Sequence, residues 1–192
     1  MFNDKSKFGD SVDATVTRGA GQEDLVALSG VYTAECYDAN GNLKWSDTIE
    51  NLTTNVGRQL MLNSFFANTG GGAIVMGLMG TGTPAYTDTQ ASHPGWLEVG
   101  GVNAPTYSGT RKTPTYSPAT SANPSVLTTS TPVIFSMTSS GTVAGAFINI
   151  GGSSTIDNST GTLFSAGDFT AGSKLVSSGD TINVTYTLSA AG

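Results

Sequence analysis

The sequence predicts an all-β fold, an antiparallel sandwich or jelly-roll-like barrel with one short helix and one long Pro/Thr/Tyr-rich contact loop. Three observations predict it. Apolar and polar residues alternate over short runs, most regularly at Ile182, Val184, Tyr186 and Leu188 against Thr181, Asn183, Thr185 and Thr187. That period of two marks a strand with one buried and one wet face. Glycine, at 25 of 192 residues, joins Ser, Thr and Asn in punctuating the runs at turn spacing. Charged residues make up only 11% of the chain while apolar residues make up 38%. The charged share is well under the ~25% of ordinary domains, which excludes charge-driven disorder. A chain of 192 residues is read as one domain able to bury a core without metals or disulfides.

Residues 1–28 are polar and glycine-punctuated, with a brief alternation at Ala14, Val16 and Arg18. They read as an N-terminal arm or ragged edge strand ahead of a β domain over 29–192. Val31 to Tyr37 alternates, Asp38-Ala39-Asn40-Gly41 supplies turn chemistry, and Leu43, Trp45 and Ile49 alternate again, which predicts a β-hairpin. Thr53-Thr54-Asn55 then offers N-cap oxygens before a run from Val56 to Phe66. Met61 with Phe65, and Leu62 with Phe66, stand at the i,i+4 spacing of one helix face. One helix of about three turns is expected, its aromatic face plugging the core beside a sheet. Ala73 to Met79 is a continuous apolar run and reads as a buried central strand.

The segment from about 80 to 131 holds six of the seven prolines and repeats Pro-Thr-Tyr at Pro105 and Pro114. So long a stretch without strand pattern reads as an extended loop or arm for contacts with other subunits, few of its residues reaching the core. Beyond it, Val133–Met137 predicts one strand and Thr142–Ile150 a second, with Gly145 marking a bulge or close approach. Short pieces follow around Leu163-Phe164 and Phe169, then the alternating run to Leu188. Six to nine strands in all fit a sandwich or jelly-roll-like barrel.

Residues capable of chemistry are few. His93 is the only histidine and no Gly-x-Ser-x-Gly elbow accompanies it, so a hydrogen-bonded loop residue is expected rather than a catalytic base. Cys36 is the only cysteine, lies in the alternating run and reads as a small buried hydrophobe. One Cys and one His cannot build a structural zinc set. Asp38, Asn40 and Asn42 alternate as calcium ligands do, but Gly41 comes too early and no Glu closes the loop. Gly70-Gly71-Gly72 and Gly80-x-Gly82 lack a P-loop lysine and read as turns. The expectation is therefore no catalytic, cofactor-binding or metal residues, and no enzyme.

The net charge of −6, with eight scattered Lys and Arg, argues against nucleic acid. Arg111-Lys112, the one adjacent basic pair, reads as a solvated loop tip. No run approaches the ~20 apolar residues of a membrane span. Met1-Phe2-Asn3-Asp4-Lys5 does not open a signal peptide.

Three segments together resemble small structural proteins of phage and prophage virions. They are Tyr37–Trp45 followed by Ile49–Gly57, then Gln90–Val99, then Ala146-Phe147-Ile148 with Gly161–Phe164 and Ser178–Leu188. The resemblance covers roughly residues 30–190 in order and implies a homo-oligomeric, non-enzymatic role on the particle. Capsid decoration or cementing is the first expectation, and a head-fibre, tail or tail-accessory part that binds a host surface is the alternative. The implied partners are a major capsid or tail protein and copies of the chain itself. The implied location is the virion, assembled in the host cytoplasm.

Overall fold

A computed structural model describes residues 27–67 and 71–191. Eleven strands and one helix are found among these residues. Nine of the strands form one antiparallel sheet, which folds over at a long strand into two layers.

The hairpin is where the alternation puts it. β1 (Ala27–Tyr37) pairs with β2 (Leu43–Thr53), Tyr32 facing Ile49 and Cys36 facing Trp45. Asp38 makes the turn: its carboxylate accepts from the Asn40 and Asn42 backbone N–H groups at 2.8 and 2.9 Å, and Gly41 takes φ 83°. β2 pairs with β1 as far as Asn51, and its last two residues, Leu52 and Thr53, pair with a strand of the other layer. One strand thus hands the chain from layer to layer.

α1 (Asn55–Phe66) follows at once. The Thr54 hydroxyl caps it, accepting from Gly57 N–H at 3.0 Å. A Cβ on Gly57 would stand 2.3 Å from the Phe164 carbonyl oxygen, so only glycine lets the helix sit this close to the sheet. Leu62, expected on the stacked face, is 55% exposed, while Met61 turns toward the sheet. The side chains of Phe65 and Phe66 lie outside the described residues, as do Ala14, Val16 and Arg18.

The second layer comprises β3 (Ile74–Gly82), β4 (Trp96–Val99), β8 (Gly145–Ile150) and β9 (Thr162–Asp168), in the order β4-β3-β8-β9. The apolar run of β3 is a central strand as expected, buried from Val75 to Gly80. In sequence, β4 is followed by β5 (Ser125–Thr128) and β6 (Val133–Ser136), which belong to the first layer, and by β7 (Gly141–Val143), which lies outside the large sheet. The expected single strand over Thr142–Ile150 is two strands, broken at Ala144. β7 leaves to pair with β10 (Lys174–Val176), a strand the sequence reading missed. Gly145 is the close approach, since a Cβ there would meet the Gly167 carbonyl oxygen at 1.9 Å. Gly80 and Gly82 are not a turn but the bulged end of β3, whose register shifts between Met79 and Gly82.

β11 (Thr181–Ala191) is the hub of the first layer, pairing with β1 on one side and with β5 and β6 on the other. Ile182, Val184 and Tyr186 are buried as predicted, whereas Leu188 is only half-buried. The core joins this face to Met76, Leu78, Ile148 and Phe164 of the opposite layer. Tyr32 and Tyr186 rings pack at 4.5 Å. The Tyr32 hydroxyl reaches Ser165 Oγ at 2.7 Å, and the Asn51 amide donates to the Tyr186 hydroxyl at 3.1 Å.

The long Pro-rich segment is largely irregular, but its path is inward. Tyr107 is 4% exposed against Phe135, and Tyr116 packs on the core; only Tyr86 is exposed. Lys112 and Met76 exchange both backbone hydrogen bonds on β3, and Ser108 N–H donates to the Ser136 carbonyl on β6. The segment is a strap joining the two layers. The expectation that few of its residues reach the core fails because backbone pairing turns alternate side chains inward.

Two outcomes test this core. Val184→Ala is expected to cost about 1–3 kcal/mol in a denaturant titration, and Thr185→Ala on the opposite face to stay within about 0.5. Equal costs would contradict the facing. The second outcome concerns alkaline pH. Burial pushes the Tyr186 hydroxyl up to about 12, and burial followed by the Asp180 charge pushes the Cys36 thiol from 9.0 to about 11. Burial, then the Tyr186 hydroxyl, raises Tyr32 well above 10.0. The folded chain holds these protons more tightly than the unfolded chain, so their stabilisation is complete below the unfolded values and lost as pH rises through the folded ones. The melting temperature is expected to fall across pH 9 to 12. A level profile there would mean these groups reach solvent.

Candidate functional site

The side chains singled out by chemistry are held in structural roles. Cys36 is fully buried, its Sγ 3.9 Å from Asp180 Oδ2. A thiol whose proton is held up to about 11 is a poor nucleophile near neutral pH. Asp38, Asn40 and Asn42 are spent on the hairpin turn, where the Asn42 amide also donates to Asp38 Oδ2 at 3.0 Å. Those bonds hold the Asp38 carboxyl below its ordinary range. His93 stacks on the Trp96 ring at 3.9 Å and its Nδ1 lies 3.1 Å from the Trp96 carbonyl oxygen. Trp96 in turn donates its indole N–H to Asp88 at 3.0 Å. No group of three or more His, Cys, Asp or Glu side chains suited to a metal is found among the described residues. Gly70 lies outside them.

The reading of Arg111 as a solvated tip is overturned. Arg111 is 2% exposed and meets Glu98 of β4 in a two-point pair, Nε to Oε1 at 2.8 Å and Nη2 to Oε2 at 2.6 Å. Nη1 donates to the Ser153 carbonyl and Nη2 to the Asn158 carbonyl, at 3.0 and 2.7 Å. Glu98 Oε2 also accepts from Asp157 N–H at 3.0 Å. The guanidinium lies 5.5 Å from the Phe147 ring centre. A buried charge survives only when its donors are matched, and here a carboxylate and two carbonyls match them.

Two larger concavities remain. A polar one of about 260 Å³ opens beside this pair, lined by Gln90, His93, Leu97, Asn103, Asp157 and Asn158. An apolar one of about 450 Å³ lies between α1, the start of β3, the start of β1 and the end of β11. Phe164, Leu60, Leu127 and Leu188 line it. The sequence signalled neither. The half-exposure of Leu188 is the local mark of the apolar groove.

A third surface is the outer face of the first layer. Register places Glu50, Val31, Thr187 and Thr128 in one row across β2-β1-β11-β5, and Thr48, Thr33 and Thr185 in the next. Ser46, Glu35, Asn183 and Ile134 form a third row, which ends on β6. Val31 is 39% and Ile134 54% exposed. The face is broad, threonine-rich and nearly uncharged, with Glu35 and Glu50 its only ionisable side chains in these rows.

Arg111→Met is expected to cost about 3–5 kcal/mol in a denaturant titration, since it strands the buried Glu98 carboxylate. Arg111→Met combined with Glu98→Leu should cost less than the two single changes together, by more than about 1 kcal/mol. Additive losses would mean the two side chains do not act as a pair. In comparisons with known proteins, no family model, no curated protein and no solved structure matches this chain.

Proposed function

We propose that this chain is a non-enzymatic structural protein of a bacteriophage particle, a decoration or cement protein that covers the head in many copies. The observation that carries the reading is the outer face of the first layer. A sheet face with rows of Thr, exposed Val31 and Ile134, and two carboxylates suits repeated docking on a shell or on a neighbouring copy. Its exposed apolar and hydroxyl groups can be covered with little charge desolvation. The resemblance of three segments to phage virion proteins supports the same reading. So does the use of the buried ionisable groups, Glu98, Arg111 and Asp180, in internal ion pairs rather than at an open site.

Virions purified from a lysogen or phage stock and imaged in negative stain with antibody to this chain test the proposal. Even labelling over the head is the expected result. Labelling confined to one vertex or to the tail replaces decoration by a tail or fibre role, and particles that carry no label remove the virion reading altogether.

A further inference from the structure

We infer that the apolar groove beside α1 is filled by this chain's own N-terminal segment, with Val12, Ala14 and Val16 turned into it. The groove measures about 450 Å³ and is walled by Leu60 and Met61 of α1, Leu28 of β1, Leu127 of β5 and Leu188 of β11, over Phe164. That volume lies within the ~300–1,000 Å³ of ordinary ligand pockets. Its lining is aliphatic and aromatic, with a single serine from each of α1 and β5, so its occupant is apolar.

The position of the chain names the occupant. Leu28 is the second residue of β1 and already stands on the groove wall, so β1 begins at the rim of the groove. Inward-facing residues of β1 keep one parity, Leu28, Gly30, Tyr32, Ala34 and Cys36, and upstream the same parity falls on Val26. Further upstream, Val12, Ala14 and Val16 repeat at the same spacing between Ser11, Asp13, Thr15 and Thr17. Gly19-Ala20-Gly21 separates the two sets and tolerates the backbone angles of a reversal. Residues 17–27 span at most roughly 36–40 Å when extended, far more than a groove of this volume requires. A tethered segment also competes at an effective concentration of roughly millimolar order, which favours it over an untethered occupant of equal affinity. This inference does not depend on the particle role.

Full-length protein with labelled Val and Leu methyl groups gives the direct test. Nuclear Overhauser contacts are expected from the Val12 and Val16 methyls to those of Leu127 and Leu188, within one molecule. Their absence overturns the proposal. Contacts seen only between labelled and unlabelled molecules in a mixed sample give the groove to a second copy's segment and overturn the intramolecular assignment. A second measurement uses the fluorescence of anilinonaphthalene sulfonate, which brightens in apolar sites. Wild-type protein and Thr15→Asp are expected to brighten it weakly, and Val16→Asp several-fold more. Strong, equal signals from wild type and Val16→Asp would leave the groove open to an apolar ligand. Weak, equal signals would mean that something else fills it. Either result overturns the proposal.

Discussion

A guanidinium carries five donors, and it stays out of water only where acceptors meet them. In this chain Glu98 takes two of the bonds and the carbonyls of Ser153 and Asn158 take two more. Glu98 belongs to β4, Arg111 lies 13 residues further along the strap, and the carbonyls belong to the loop after β8, so one charge holds three pieces of chain together. Asp157 closes the set by donating its backbone N–H back to Glu98. With Arg111 fixed, Lys112 lies in register with Met76, and the strap runs on in both directions to the opposite layer. A buried pair of this kind adds little net stability over an apolar replacement, because desolvation offsets most of the attraction. Its effect here is to select one path for a segment that has almost no strand pattern of its own.

The two layers solve burial differently. In the first, strict alternation sends Tyr32, Ala34, Cys36, Ile182, Val184 and Tyr186 inward, and the threonines outward. In the second, β3, β8 and β9 are buried almost throughout. A second cluster of Met79, Trp96, Phe147, Leu163 and Ala166 packs apart from the main core. Two further ion pairs follow the logic of Arg111. Lys44 pairs with Asp180 across β2 and the turn before β11, and Lys174 Nζ meets Asp47 at 2.6 Å across β10 and β2. In a chain this poor in charge, each ion pair among the described residues joins segments that the sheet alone does not.

What could be read from the sequence was local. The hairpin, the Thr54 cap and the face of β11 each rest on residues a few positions apart, where periodicity and turn chemistry act directly. What could not be read depends on partners distant in sequence or on main-chain groups. Arg111 beside Lys112 looks solvated until Glu98 and two carbonyls come within reach, and carbonyls leave no trace in composition. The break at Ala144 arises because β7 finds β10, a three-residue strand too short to show a period. Tyr107 and Tyr116 look like surface residues among prolines, and only pairing with Met137 and Thr129 turns them inward. The apolar groove is walled by α1 and by strands of both layers, an arrangement that single residues do not encode.

The contact between Tyr32 and Ser165 spans 133 positions of sequence, and that between Asn51 and Tyr186 spans 135. Closing loops of that length costs chain entropy before any side chain is buried in return. Local elements such as the β1–β2 hairpin form in microseconds. The layers, by contrast, meet only through pairings that are almost all remote, the topology of domains that fold in about milliseconds to seconds. Until β11 takes its place between β1 and β6, both of those strands present bare hydrogen-bonding edges to their surroundings. The interval between synthesis and the arrival of that one strand is the time during which wrong partners compete with right ones.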